Sequence, residues 1–217
     1  MKPLVIIANW KSHKTSAEAL SWWQVFSEKH QPDTTIIILA VPYTLLPILA
    51  PVVSSRPDVF LAAQDMSPFD ESAHTGEVSG QQIKEFAKYV LIGHSEVRKE
   101  TGETVDMRRQ KILQAQVSGL TPFVFYGGTD DTLLQSPFLV YEPPGAISPN
   151  PPETPEEVAR MTEAMHLSSP ESRILYGGNV TPENVKSYVT LPLVEGVVIG
   201  RASLDPLEFL ELIAHAQ

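Results

Sequence analysis

Cysteine is absent from the 217-residue sequence, which excludes disulfides, iron–sulfur clusters, thiolate zinc sites and cysteine nucleophiles together. That fits a reducing compartment such as the cytoplasm. Basic residues are scarce: 16 lysines and arginines against 26 aspartates and glutamates leave a formal net charge of -10. This is the wrong sign for a chain that works on nucleic acid or an anionic membrane, so any phosphate site must be local. Long apolar runs are missing as well. The run at 4–8 is too short for a signal-peptide core or a membrane span and reads as a first strand. None of the six histidines stands at i, i+4 from another, so no helical metal motif is present, and neither a metal nor another cofactor is expected.

Hydrophobic residues at 42% and charged residues at 19% are ordinary for a folded globular chain, and the length suits one domain over 1–217. Eight short, β-branched apolar runs recur, at 4–8, 36–41, 59–63, 89–92, 121–125, 138–141, 174–176 and 197–199. Runs that are continuous rather than alternating suit strands buried on both faces of a parallel sheet. Helical patterns lie between them. The segment 16–30 places Leu20, Trp23 and Phe26 or Ser27 on one face, and 105–118 carries Ile112, Leu113 and Ala115 among Arg108, Arg109 and Lys111. Thr154-Pro155-Glu156-Glu157, Thr181-Pro182-Glu183-Asn184 and Asp205-Pro206-Leu207-Glu208 repeat one helix opening, a capping oxygen followed by proline at the first helical position.

Alternation of strand and helix about every 27 residues predicts an α/β fold, a (β/α)8 TIM barrel. An open doubly wound sheet is the weaker reading, because Asn9-Trp10-Lys11 stands after the first strand where a glycine-rich dinucleotide turn would be. One crossover is thin. Only ten residues, 127–136, join the fifth and sixth strands, which predicts a reduced fifth helix: a stub at 131–134 or none. Prolines, in contrast, are plentiful at 19, with six of them between 143 and 155. That segment reads as a loop behind a strand end bearing a carboxylate, the natural cover for a site.

In a barrel the residues that meet around one ligand lie just past the carboxyl ends of the strands. Here these are Asn9 and Lys11, Gln64, His94 and Ser95, and Glu142, with glycine-bearing turns at 177–179 and 200–202. Singly, each has an ordinary structural explanation. Jointly, a cation, a histidine, a carboxylate and two amide-rich turns suit proton transfer beside the carbonyl of a phosphorylated sugar.

At these positions the chain resembles the triosephosphate isomerase family. The resemblance is carried by Ala8-Asn9-Trp10-Lys11, Pro42-Tyr43-Thr44, Ala63-Gln64, Thr75-Gly76-Glu77, Gly93-His94-Ser95-Glu96, Gly102-Glu103-Thr104, Tyr141-Glu142-Pro143, Tyr176-Gly177-Gly178 and 200–204, all in the family's order. It implies that Asn9 and Lys11 bind substrate, that His94 is the electrophile and that Glu142 is the base. It further implies a phosphate cradle of backbone amides at Ser148, Asn179, Gly200 and Arg201, closed over by residues 143–150. The small phosphorylated sugar is then the partner, with no nucleic acid or membrane. Thr75 would sit at the interface of a homodimer, near the partner's Asn9 or Lys11. Two alternatives stay open: an isomerase of a neighbouring phosphorylated sugar, and a non-catalytic relative that binds phosphometabolites or serves in assembly.

The chain departs from the family's pattern at several places. Ser148-Pro149-Asn150 stands for a Gly-Thr-Gly hinge, Arg201 for a glycine, and Pro144-Gly145 where a tryptophan is usual. Phe125, Tyr126 and Gly128 stand where the family shows a cysteine and, slightly later, a glutamate, and Val97 replaces an arginine.

Overall fold

The computed structural model describes residues 3–129, 131–146 and 150–217. Eight strands run in chain order: β1 (Val5–Asn9), β2 (Ile36–Val41), β3 (Val59–Ala63), β4 (Tyr89–Ile92), β5 (Thr121–Tyr126), β6 (Phe138–Tyr141), β7 (Arg173–Tyr176) and β8 (Val194–Ile199). Each pairs in parallel with the next, and β8 returns to β1 with Val5 opposite Gly196, so the sheet closes into a barrel. The expected (β/α)8 TIM barrel is the fold found.

Alternation along each strand divides the apolar residues into two cores. Ile7, Ile38, Ala62, Leu91, Phe123, Val140, Leu175 and Val198 fill the barrel interior. Ile6, Leu39, Leu61, Val90, Val124, Leu139 and Val197 face outward onto the helices. A fully buried side chain of this kind contributes about 1.5–3 kcal/mol, and truncating Phe123 to alanine would cost about 3–5 kcal/mol.

The outer layer is made by α1 (Ser16–Lys29), α2 (Leu46–Val53), α3 (Gly80–Lys84), α4 (Ser95–Thr101), α5 (Val105–Val117), α6 (Pro155–Ser168), α7 (Val185–Val189) and α8 (Pro206–Ala216). Start chemistry works as expected at α6, where Thr154 accepts the Glu157 amide, and at α8, where Asp205 accepts from Leu207 and Glu208. At Thr181 it does not. Asn184 turns its side chain back to accept the Thr181 amide at 2.8 Å, and α7 begins only after it.

Two helix faces also differ from the expectation. In α1 the inward residues are Ala19, Trp22, Trp23 and Phe26, while Leu20 is exposed. Along α5 Leu113 points out, and the charged residues Arg108 and Lys111 join Ile112 and Ala115 inside. They can do so because carboxylates meet them there: Asp131 pairs with Arg108, and Asp65 and Glu103 pair with Lys111. Between β5 and β6 the described residues form no helix, the second of the two outcomes expected for that short crossover.

Candidate active site

Strand parity accounts for the first residues of the site. The inward series Val5-Ile7 on β1, Phe60-Ala62 on β3 and Phe138-Val140 on β6 continue as Asn9, Gln64 and Glu142, so these three side chains reach the carboxyl end of the barrel interior. His94 breaks parity. Gly93, with φ at +78°, turns the chain in the left-handed region that favours glycine, and the imidazole lands on Phe125, ring centroids 5.0 Å apart. A side chain on Gly93 would also meet Arg108 Cδ at 2.7 Å, so glycine is required there twice over.

Lys11 follows a similar bend. Its φ is +51°, and the turn is held by Asn9 Oδ1, which accepts the Lys11 amide at 3.1 Å, and by Gln64 Nε2, which donates to the Lys11 carbonyl at 2.8 Å. Lys11 Nζ then donates to Glu96 Oε1 at 2.5 Å.

His94 is both the cap of α4 and the centre of the site. Its Nδ1 accepts the Glu96 amide at 3.2 Å, which leaves the ring proton on Nε2 in an uncharged imidazole. Nε2 faces Glu142 Oε1 at 3.0 Å, and the other oxygen of Glu142 accepts the Ser95 amide at 3.0 Å. Both side chains are buried. Burial by itself pushes the Glu142 carboxyl up, but the hydrogen bonds from His94 and Ser95 outweigh it and hold the group below the usual carboxylate range.

Asn9, Lys11, His94, Glu142, Asn179, Gly200 and Arg201 line one cavity of about 340 Å³. Residues 192 positions apart in sequence, Asn9 and Arg201, thus share a pocket. Asn179 takes a φ of +47° and its amide side chain donates to the Asn150 carbonyl at 2.7 Å. Gly200 lies close against the Lys11 stem, where a Cβ would be 3.9 Å from Lys11 Cε. Arg201 opens a 3₁₀ turn, Arg201–Ser203, without positive φ, so the arginine in place of glycine carries no backbone strain. Ser148 lies outside the described residues. Thr75 sits exposed on a turn and is not part of this cavity.

Several participants had no role in the reading of the sequence. Glu96 was legible only as part of a motif, yet it holds the Lys11 ammonium and, through its amide, sets the His94 tautomer. His13 also lines the cavity. Glu153, at the far end of the proline-rich segment, is gripped by three tyrosines: Tyr141 Oη donates to its carboxylate, Tyr188 Oη to its carbonyl, and Tyr176 Oη accepts its amide. No local pattern marks such an anchor. Among the described residues, no three histidine, aspartate or glutamate side chains gather as a metal cage.

A family model described as triosephosphate isomerase matches residues 4–136 and 127–216. A triosephosphate isomerase of Synechococcus sp. (strain JA-2-3B'a(2-13)) is 33% identical over 243 residues, with 98% of this chain and 97% of the relative covered. One of Shewanella sp. (strain ANA-3) is 32% identical over 251 residues, covering 98% and 96%. The crystal structure of triosephosphate isomerase from Bartonella henselae superposes with a TM-score of 0.84 at 25% identity, over 99% of both chains. With its barrel, its shared pocket and matches that run nearly end to end, this chain belongs to the triosephosphate isomerase family.

Proposed function

We propose that this chain interconverts dihydroxyacetone phosphate and glyceraldehyde 3-phosphate by proton transfer through an enediolate. Glu142 is the base. It takes a proton from the carbon beside the carbonyl, and the electron pair left behind moves onto the carbonyl oxygen as the enediolate forms. His94 Nε2–H and the Lys11 ammonium stabilise that oxygen; the hydroxyl proton on the deprotonated carbon then passes to it, the electron pair of that O–H bond forms the new carbonyl, and the protonated Glu142 returns its proton to the former carbonyl carbon. Amides at Asn179, Gly200, Arg201 and Ser148 hold the phosphate, and residues 143–150 cover the intermediate and exclude water.

The observation that carries this reading is the contact between His94 Nε2 and Glu142 Oε1 at 3.0 Å, with Nδ1 occupied by the Glu96 amide. A substrate carbonyl competes for that same Nε2–H. When it wins, Glu142 loses a hydrogen bond that depressed its pKa, while its burial remains. The carboxylate becomes a stronger base at the moment the acidic carbon arrives.

A coupled assay with each triose phosphate, run beside Glu142→Gln, tests the assignment. Turnover by the natural chain and a loss of about 10²–10⁴-fold in kcat for the variant are expected. Equal rates in the two proteins would remove Glu142 as the base.

The proposal places the protein in the cytoplasm, in keeping with a chain free of cysteine. It also includes a homodimer in which the turn at Thr75 meets the partner near Asn9 or Lys11. Exposure of Thr75 and of neighbouring Phe69, whose ring stacks on His74, supports an interface there. Light scattering after size exclusion is expected to give twice the 23.9 kDa chain mass. An active species of single-chain mass at micromolar concentration would eliminate the dimer.

A further inference from the structure

Among the described residues the crossover between β5 and β6 has no helix, yet the second strand it joins leads directly into Glu142. Asp131, in that crossover, has only 9% of its side chain exposed and accepts five hydrogen bonds at once, the longest from Arg108 Nη1 to Oδ2 at 3.4 Å. Its Oδ2 accepts from Arg98 Nη1 at 2.5 Å and from the Gly127 amide at 2.9 Å, while Oδ1 accepts from Arg108 Nη2 and the Thr132 amide, each at 2.8 Å.

Each of the three more distant partners leads to the reacting groups. Arg98 belongs to the helix that His94 caps, and its amide donates to the His94 carbonyl at 3.0 Å. The Arg108 stem lies against Gly93, the residue whose left-handed turn aims the imidazole. Gly127 directly follows Tyr126, whose carbonyl accepts the Glu142 amide at 2.9 Å. One carboxylate therefore reaches both sides of the contact between His94 and Glu142, through two arginine side chains on the His94 side and a backbone amide on the Glu142 side.

We propose that Asp131 is a positioning residue for proton transfer, holding Arg98 and Arg108 against the Gly93 and His94 turn and Gly127 beside Glu142 in a crossover whose described residues form no helix. This rests on the isomerase reading. Geometry and charge agree. Arg108 is only 3% exposed, so its guanidinium needs a fixed anion, and the bidentate fork of an arginine specifies orientation as well as charge. Burial pushes the Asp131 carboxyl up, but the Arg108 hydrogen bond, the Gly127 amide and the nearby arginine charges more than offset it. The grip is ionised at neutral pH. A displacement of about 1 Å in a catalytic group costs on the order of 10²-fold in rate, which sets the scale of the expected effect.

The test uses the full chain with Asp131→Asn, which keeps the shape and loses the charge, and Arg98→Lys, which keeps the charge and loses the fork. Steady-state kinetics with glyceraldehyde 3-phosphate and the nitrogen-15 spectrum of the His94 ring are both recorded. Asp131→Asn is expected to lower kcat by about 10–100-fold with KM nearly unchanged, and to shift or broaden the His94 Nε2–H signal. Arg98→Lys should do the same to a smaller degree, and it decides the matter if Asp131→Asn does not fold. A folded variant with natural kcat and an unaltered His94 spectrum would overturn the proposal, even if its melting temperature fell. So would a rise in KM at constant kcat. If the natural chain turns over neither triose phosphate, the isomerase reading fails, and the His94 spectrum alone then decides whether Asp131 positions the ring.

Discussion

In the proposed mechanism His94 and Lys11 divide the work of stabilising one oxygen in different ways. The imidazole offers a single directed N–H whose direction is set by the Glu96 amide behind it, whereas the ammonium offers charge from a flexible stem. Glu96 pairs with that charge at 2.5 Å, and both groups are partly exposed, so the pair itself adds little stability. Lys11→Met should therefore leave melting nearly unchanged while lowering kcat/KM by about 10² or more, since it removes a cation from beside the developing oxyanion. Comparing calorimetry with kinetics checks both halves, and a kcat/KM within a factor of two of the natural chain would strip Lys11 of its role. The identities of these residues were readable from the sequence, because each stands at a strand end. Glu96 was not assigned a role, because nothing local says that a helix capped by His94 will aim its second residue across the barrel mouth.

Among the elements, α5 shows where pattern reading fails. Its sequence suggests an apolar face with lysine and arginine outside, but Lys111 is inside, with Nζ 2.5 Å from Glu103 and 2.6 Å from Asp65. Burial raises the Glu103 carboxyl above its usual value despite the hydrogen bond and charge of Lys111. Lys111→Met leaves that buried carboxylate unpaired and is expected to cost about 3–5 kcal/mol, read as a lower denaturant midpoint at neutral pH. A change below about 0.5 kcal/mol would mean that water or another cation takes over. Strand limits were legible to within a residue or so for most of the barrel, since a continuous apolar run leaves few other choices. At β8 the apolar run begins at 197, but the strand begins at Val194, because Glu195 is paired by Arg173 of the neighbouring strand at 2.8 Å. A charge that reads as loop in one dimension is a cross-strand partner in three.

At the scale of the molecule, the same carboxylates set the response to pH. Asp131 and Glu142 have folded pKa values below their unfolded ones, so each contributes stability that is present above the unfolded value, about 4, and is lost as pH falls through the folded value. Glu103 runs the other way: its raised value adds stability on the acid side, and that share is lost as pH rises through the folded value. Melting temperature is expected to hold from about pH 5 to 7 and to drop below about pH 4, more gently in Glu142→Gln than in the natural chain. An equally steep acid limb in that variant would show that Glu142 carries no such linkage.

Composition and periodicity by themselves determined the barrel: eight buried runs at regular spacing, separated by capped helices, have few ways to hide their apolar surface other than to close. They also determined which polar side chains stand at the strand ends, because position along a strand is a local property. Only the tertiary structure decided how those ends are tied together: the Asp131 grip, the inward lysine of α5 and the three tyrosines on Glu153. Each of these joins charges or hydroxyls that are far apart in the chain, and the free energy of a buried polar pair depends on where its partner lies in space.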